Sequence, residues 1–237
     1  MLFLLMLTSD NILKQWKFGI AEGVINKKGL YDNSLFKDIM SEVFKDFKGF
    51  GRKLEILLTD ADKGIPVYTN ESTEFSQYPS ILTASISKGG ELPFIKIGNT
   101  NYMSGSLVQS VSLIKSIERC IVEKGVNEED VVIDIISAAP GKNIYKDLRE
   151  AKTLEMAARY FELCSYHKTA YALLSAKQSY PNAQFRFMIE PSSRLSKDSM
   201  SSKFSAIDMM KLYQQGYTDA MAANVTNSED WLVSQLI

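Results

Sequence analysis

Two short runs constrain this chain more than any other part of its sequence: Leu54 to Thr59 (LEILLT) and Val131 to Ile136 (VVIDII). Each is largely apolar without regular alternation, and the first is bounded by Asp60, Asp62 and Gly64. That pattern marks a strand covered on both faces, the first followed by a turn. A third run, Phe185 to Ile189, is closed by Pro191, and shorter strands are expected at Ile65 to Tyr68 and Phe94 to Ile97. Between the runs the apolar period becomes helical. Ser34 is placed to cap a helix that carries Leu35, Phe36, Ile39, Met40, Val43, Phe44 and Phe47 on one face and stops at Gly49 and Gly51. Ser9-Asp10 would cap a short helix through Trp16 and Phe18. Further helices are expected at Tyr78 to Ser87, on Val111, Ile114, Ile117 and Ile121 up to Gly125, and at Ala206 to Ala223. A long one is expected at Ala151 to Lys177, with Ala157, Phe161, Cys164, Tyr171 and Leu174 inward. Buried strands alternating with amphipathic helices imply the α/β class. The expectation is a mainly parallel central sheet that holds all three long runs and is flanked by helices.

Length and charge narrow the function. The 237 residues, 45% hydrophobic and 23% charged, suit one globular domain with a real core. A net charge of −1 gives no global field for nucleic acid, so no nucleic-acid partner is expected. The single His167 excludes a site built on several histidines, and Cys120 and Cys164 are too far apart for metal spacing. Both cysteines are expected to be buried free thiols. No P-loop or dinucleotide fingerprint occurs, so neither a cofactor nor a metal is expected. Met1 to Leu7 is wholly apolar but shorter than the roughly 20 residues of a membrane span. Without a basic flank or cleavage site, a signal peptide is not expected there. It looks like the middle of a buried helix, and the location expected is intracellular, in the cytoplasm or peripheral to a membrane.

An α/β hydrolase commonly mounts its serine on a strained strand-to-helix turn, G-x-S-x-G. The nearest string is Ser85-Ile86-Ser87-Lys88-Gly89, which has serine in place of the first glycine and follows a helix. Ser87 therefore reads as a helix C-terminus rather than a nucleophile.

Leu57-Leu58-Thr59-Asp60 with Gly64, then Ala84-Ser85-Ile86-Ser87, then Gly98 to Ser106, taken in order, resemble segments of the patatin-like phospholipases. Gly29-Leu30-Tyr31-Asp32 is similar to the family's loop after its nucleophile helix, and Leu57-Leu58-Thr59-Asp60 with Gly64 to its central strand and turn. Ala84-Ser85-Ile86-Ser87 and Leu92-Pro93-Phe94 are similar to its A-S-x-S…P-x-F-P segment. Gly98 to Ser106 (GNTNYMSGS) resembles the stretch usually written G-x-x-Y-x-D-G-G. Ile189-Glu190-Pro191 and Gly216-Tyr217-Thr218-Asp219-Ala220 fit the same plan, so the resemblance covers about residues 1 to 223.

The resemblance implies a single partial patatin-like domain over residues 1–237, incomplete at the N-terminus. Aligning Tyr102 and Gly105 puts Ser104 at the family's catalytic aspartate, and the next glycine is Ser106. The family's oxyanion loop and G-x-S-x-G serine have no counterpart. No catalytic residue is then intact. The chain is expected to be a degenerate or truncated relative of lipid acyl hydrolases, inactive as given. Ser104 is expected in a loop after a short strand, with Gly105 permitting a tight turn. A lipid or membrane surface is the partner the family implies, and a sheet short of strands would favour a protein partner or self-association. The alternatives are an active serine esterase that recruits Ser87 or Ser104, and an unrelated α/β binding module.

Overall fold

A computed structural model describes residues 14–138, 147–193 and 205–223. The chain divides into two compact units, residues 1–109 with 203–206 and residues 110–202 with 207–237. The expected cap at Ser9-Asp10 and the apolar segment Met1 to Leu7 lie outside the described residues.

In the first unit, Leu54 to Thr59 becomes strand β3 (Glu55–Asp60) and Ile65 to Tyr68 becomes β4 (Ile65–Asn70). They pair antiparallel from Asp60↔Ile65 to Glu55↔Asn70. The link between them is Ala61 to Gly64. Its geometry follows from Asp60, whose Oδ1 accepts the Asp62 and Lys63 N–H groups at 3.0 Å, and from Gly64, which takes φ +72. A link this short admits only a hairpin, because a parallel partner needs a crossover of a dozen or more residues. Likewise Gly98, at φ +61, turns β5 (Ile95–Ile97) back onto β6 (Thr100–Ser104). β6 lies antiparallel against β3, giving the order β4-β3-β6-β5.

The α/β class is therefore present, but the described residues form no mainly parallel central sheet: every ladder of this four-stranded sheet is antiparallel. Nor is β3 covered along its whole length. Leu58, Thr59 and Asp60 are buried, whereas Glu55 to Leu57 are half-buried. Helix α3 (Tyr78–Ile86) supplies the cover, packing Ile81 and Ala84 against Leu58 and Ile95.

Before the sheet come β1 (Lys14–Gln15), α1 (Gly19–Asn26), β2 (Tyr31–Asp32) and α2 (Ser34–Lys45). Trp16 and Phe18 are not helical as expected: Phe18 donates its N–H to Glu22 Oε2 at 3.0 Å, immediately ahead of α1. Ser34 is not the cap either. It is the first helical residue, and its N–H and hydroxyl both donate to Asp32, forming a turn before the helix. The apolar face of α2 buries Phe36 and Met40. Phe44, with Phe47, Phe50 and Phe75, gathers around Tyr78; Phe44 and Tyr78 stack at 5.5 Å, and the Tyr78 hydroxyl donates to the Asn70 carbonyl at 2.7 Å. This aromatic cluster ties α2 to α3.

The second unit holds α4 (Leu113–Lys124), β7 (Val132–Ile136), α5 (Thr153–Ser179), β8 (Gln184–Ile189) and most of α6 (Ala206–Ala222). β7 and β8 form the parallel ladder of the described residues, with a register shift at Ile133/Asp134. Leu113, Ile117, Val131, Ile135, Leu173, Ala176 and Ala183 form one core, and Gly125 at φ +62 ends α4. The three long runs thus occupy two sheets in two units rather than one sheet.

β7 was expected to be strongly buried, yet Val132 and Ile136 are 47% and 79% exposed. Among the described residues it has one neighbouring strand, and α4 and α5 supply the core on one face. The inward face of α5 also differs from expectation. Ala158, Arg159, Ala172, Leu173 and Ala176 are buried, while Phe161 and Tyr171 are exposed. The helix is apolar around much of its girth, so periodicity selects no single face, and alanines allow the closer approach. The cysteines are not buried thiols: Cys120 is exposed and Cys164 is half-exposed.

Candidate functional site

The two serines singled out by sequence meet in the first unit. α3 ends at Ile86, leaving Ser87 as its C-cap in extended conformation. Its N–H donates to the Ala84 carbonyl at 3.0 Å and its hydroxyl to the Thr83 carbonyl at 2.7 Å. Ser104 is the last residue of β6 rather than part of a loop, because its pairing with Leu58 keeps it in the ladder. The Ser104 N–H donates to the Ser87 carbonyl at 2.9 Å, joining the end of α3 to the end of β6. On its other side, Thr59 Oγ1 donates to the Ser104 carbonyl at 3.0 Å.

Gly105 serves a close approach rather than a special backbone angle, since its φ is not positive. A Cβ there would lie 2.5 Å from the Leu57 carbonyl oxygen and 2.7 Å from its carbon. Beyond it, the Ser104 and Ser106 hydroxyls are 2.9 Å apart, and Ser104 Oγ accepts the Ser106 N–H at 3.4 Å.

Three further residues complete this polar cluster, and sequence reasoning did not select them. Asn33 Nδ2 donates to Ser87 Oγ and to the Pro93 carbonyl, both at 3.1 Å. Thr83 Oγ1 donates to the Pro79 carbonyl at 2.6 Å. Thr59 and Thr83 are fully buried, and Asn33 nearly so. The available signal was a lone threonine within the apolar helix segment ILTASI and another ending LEILLT. A polar group in such a place must find a partner inside the fold.

The chemistry open to this cluster is limited. A serine nucleophile needs a base to take its proton and access for an acyl group. The Ser87 hydroxyl proton is held by a backbone carbonyl, and Ser87 has no exposed surface. The sole histidine, His167, is an exposed residue of α5 in the second unit, its ring 5.1 Å from that of Tyr166. Asp60 is buried and pairs with Tyr102, two residues before Ser104, but its carboxylate is occupied in closing the hairpin. Its neighbour Asp62 binds Asn101. The Asn101 side-chain amide, and next its backbone N–H, hold the Asp62 carboxyl below the ordinary range.

Among the described residues, no group of three or more His, Cys, Asp or Glu side chains could hold a metal ion. No helix among them is long and apolar enough to cross a membrane. Neither a scan against protein-family models nor a search of curated proteins finds a match. The likeness to patatin-like phospholipases therefore rests on this chain's own motifs.

Proposed function

We propose that this chain carries a patatin-like domain without an acyl-hydrolase site, kept as a binding or assembly scaffold. The observation that carries this reading is the state of Ser87, sealed from solvent with its proton committed to the Thr83 carbonyl. Ser104 stands where the resemblance would place a carboxylate, and its hydroxyl faces that of Ser106. A neutral hydroxyl cannot supply the carboxylate that serves the family's serine as its base partner. On this reading, the Leu57–Gly64 and Gly98–Ser106 segments that carry the resemblance are neighbours in one sheet, with Leu58 opposite Ser104 and Asp60 opposite Tyr102. The family's substrate class suggests a lipid or membrane surface as the ligand of such a scaffold.

The test is hydrolysis of short-chain nitrophenyl esters by the purified chain. It should run no faster than in a Ser87→Ala, Ser104→Ala double variant. Acyl transfer needs donors aimed at the developing oxyanion, and losing one alone typically lowers the rate about 100- to 1000-fold. Ser104→Asp should leave turnover at background, because that carboxylate has no activated serine to serve. Turnover that the double variant abolishes would favour an esterase with a recruited serine.

A further inference from the structure

Helix α6 is amphipathic with its faces reversed. Its 17 residues project at about 100° each. Asp208, Met209, Leu212, Gln215 and Asp219 share one side and are the half-buried ones. Three of the five are polar. Gln215 Nε2 donates to the Ser193 carbonyl and hydroxyl at 3.1 and 3.0 Å, and Asp219 Oδ2 accepts the Ser192 N–H at 3.2 Å. Those bonds tie the polar side to the short segment that follows β8. Ile207, Met210, Tyr213, Tyr217 and Met221 occupy the opposite side, within an arc of about 120°, at 68%, 47%, 57%, 63% and 73% exposure. An apolar stripe of this length, rich in tyrosine and methionine, has the composition of an interface centre.

We propose that this stripe pairs antiparallel with the same stripe of a second copy of the chain. The occupant is identified by the order of the residues. Met210, Tyr213, Tyr217 and Met221 read the same from both ends, methionine outside and tyrosine inside. A two-fold axis through the middle of α6 sets Tyr213 against Tyr217 of the second copy and Met210 against its Met221. Self-complementarity of this kind is what a two-fold interface requires. No charged residue lies within the stripe, and a chain of net charge −1 does not repel its copy strongly. A lipid surface fits less well, since Lys211 is the one cation between Ile207 and Met221. Each outward side chain offers on the order of 100 Å². Five from each copy give roughly 1,000 Å² in total, about the lower limit of a specific interface. The dimer is therefore expected to be weak, with a dissociation constant of roughly 10 µM. The pairing is independent of the reading given above for Ser87 and Ser104.

The test is sedimentation of the full chain between about 1 and 200 µM, a range that brackets that constant. The wild-type chain should pass from monomer to dimer. Tyr213→Lys alone, and Tyr217→Glu alone, should each weaken the dimer about tenfold or more, by burying an unpaired charge. Both side chains are exposed, so each variant should keep the wild-type circular dichroism spectrum. The two substitutions in one chain should restore the dimer, because antiparallel pairing brings the new lysine of one copy to the new glutamate of the other. A wild-type chain that stays monomeric at the highest concentration would overturn the proposal. So would a dimer insensitive to both single variants, a double variant without recovery, or a monomer that floats with phosphatidylcholine–phosphatidylserine vesicles.

Discussion

Gly105→Ala should destabilise the first unit by about 3 kcal/mol, the upper part of the range for overpacking. The added methyl would sit 2.5 Å from the Leu57 carbonyl oxygen and 2.7 Å from its carbon, distances that real Cβ atoms essentially never show. The Leu57 side chain is crowded as well, but its carbonyl is backbone inside a ladder, and no side-chain movement relieves that part of the clash. Relief requires β6 to move off β3. That motion loosens the Leu58↔Ser104 pairing and the Ser104-to-Ser87 hydrogen bond, which joins the helix to the sheet. Urea unfolding would measure the cost, and amide exchange would locate it at Thr59 and Ser104. Gly51→Ala is the control. Its φ is not positive and a Cβ there meets nothing within 4 Å. It should change stability by no more than about 0.5 kcal/mol.

Asn33→Leu should cost about 1–3 kcal/mol, the cost of leaving the buried Ser87 hydroxyl without its donor, with a smaller loss at the part-buried Pro93 carbonyl. The acceptors are Ser87 Oγ and the Pro93 carbonyl, and one amide serves both from the residue that precedes α2. Leucine has similar bulk and fills the space, so the loss reports the hydrogen bonds rather than a cavity. Asn33→Asp should be at least as harmful, since a carboxylate offers the Pro93 carbonyl no proton. Denaturant unfolding of the three proteins gives the ranking. An Asn33→Leu protein as stable as wild type would mean that the polar cluster contributes nothing to holding α2 against the end of α3.

The elements of this fold were legible where a local rule acts alone. Tyr78 to Ser87 and the helix ended by Gly125 formed within two residues of expectation, because a proline at the second helical position and a left-handed glycine are local signals. Strand direction was misread even though its signal was present. Asp60 to Gly64 is too short for a crossover and carries the residues of a tight turn, which dictates a hairpin whatever the neighbouring apolar run suggests. The lesson for α5 is different. Hydrophobicity points Phe161 and Tyr171 inward, but small size places Ala158, Ala172 and Ala176 at the contact. Composition cannot rank close approach against apolar area without knowing the neighbour.

The candidate site was half legible. Ser87 and Ser104 were reached by different routes, one as a near-miss to a nucleophile motif and one by alignment to an acid position. The structure brings their backbones into a direct hydrogen bond. Asn33 was not legible, because its partners Ser87 and Pro93 lie 54 and 60 residues along the chain. No local pattern reports a contact of that separation.

Labelling with a fluorophosphonate probe tests the proposal that the chain lacks a serine hydrolase site most directly. The probe reports an activated serine without needing the right substrate, so an unknown ester preference cannot hide a working site. With Ser87 sealed and hydrogen-bonded to the Thr83 carbonyl, and Ser104 set against Ser106, the folded wild-type chain should take up no more label than its Ser87→Ala, Ser104→Ala counterpart. Stoichiometric labelling of the wild-type chain, abolished by substituting either serine alone, would contradict the account.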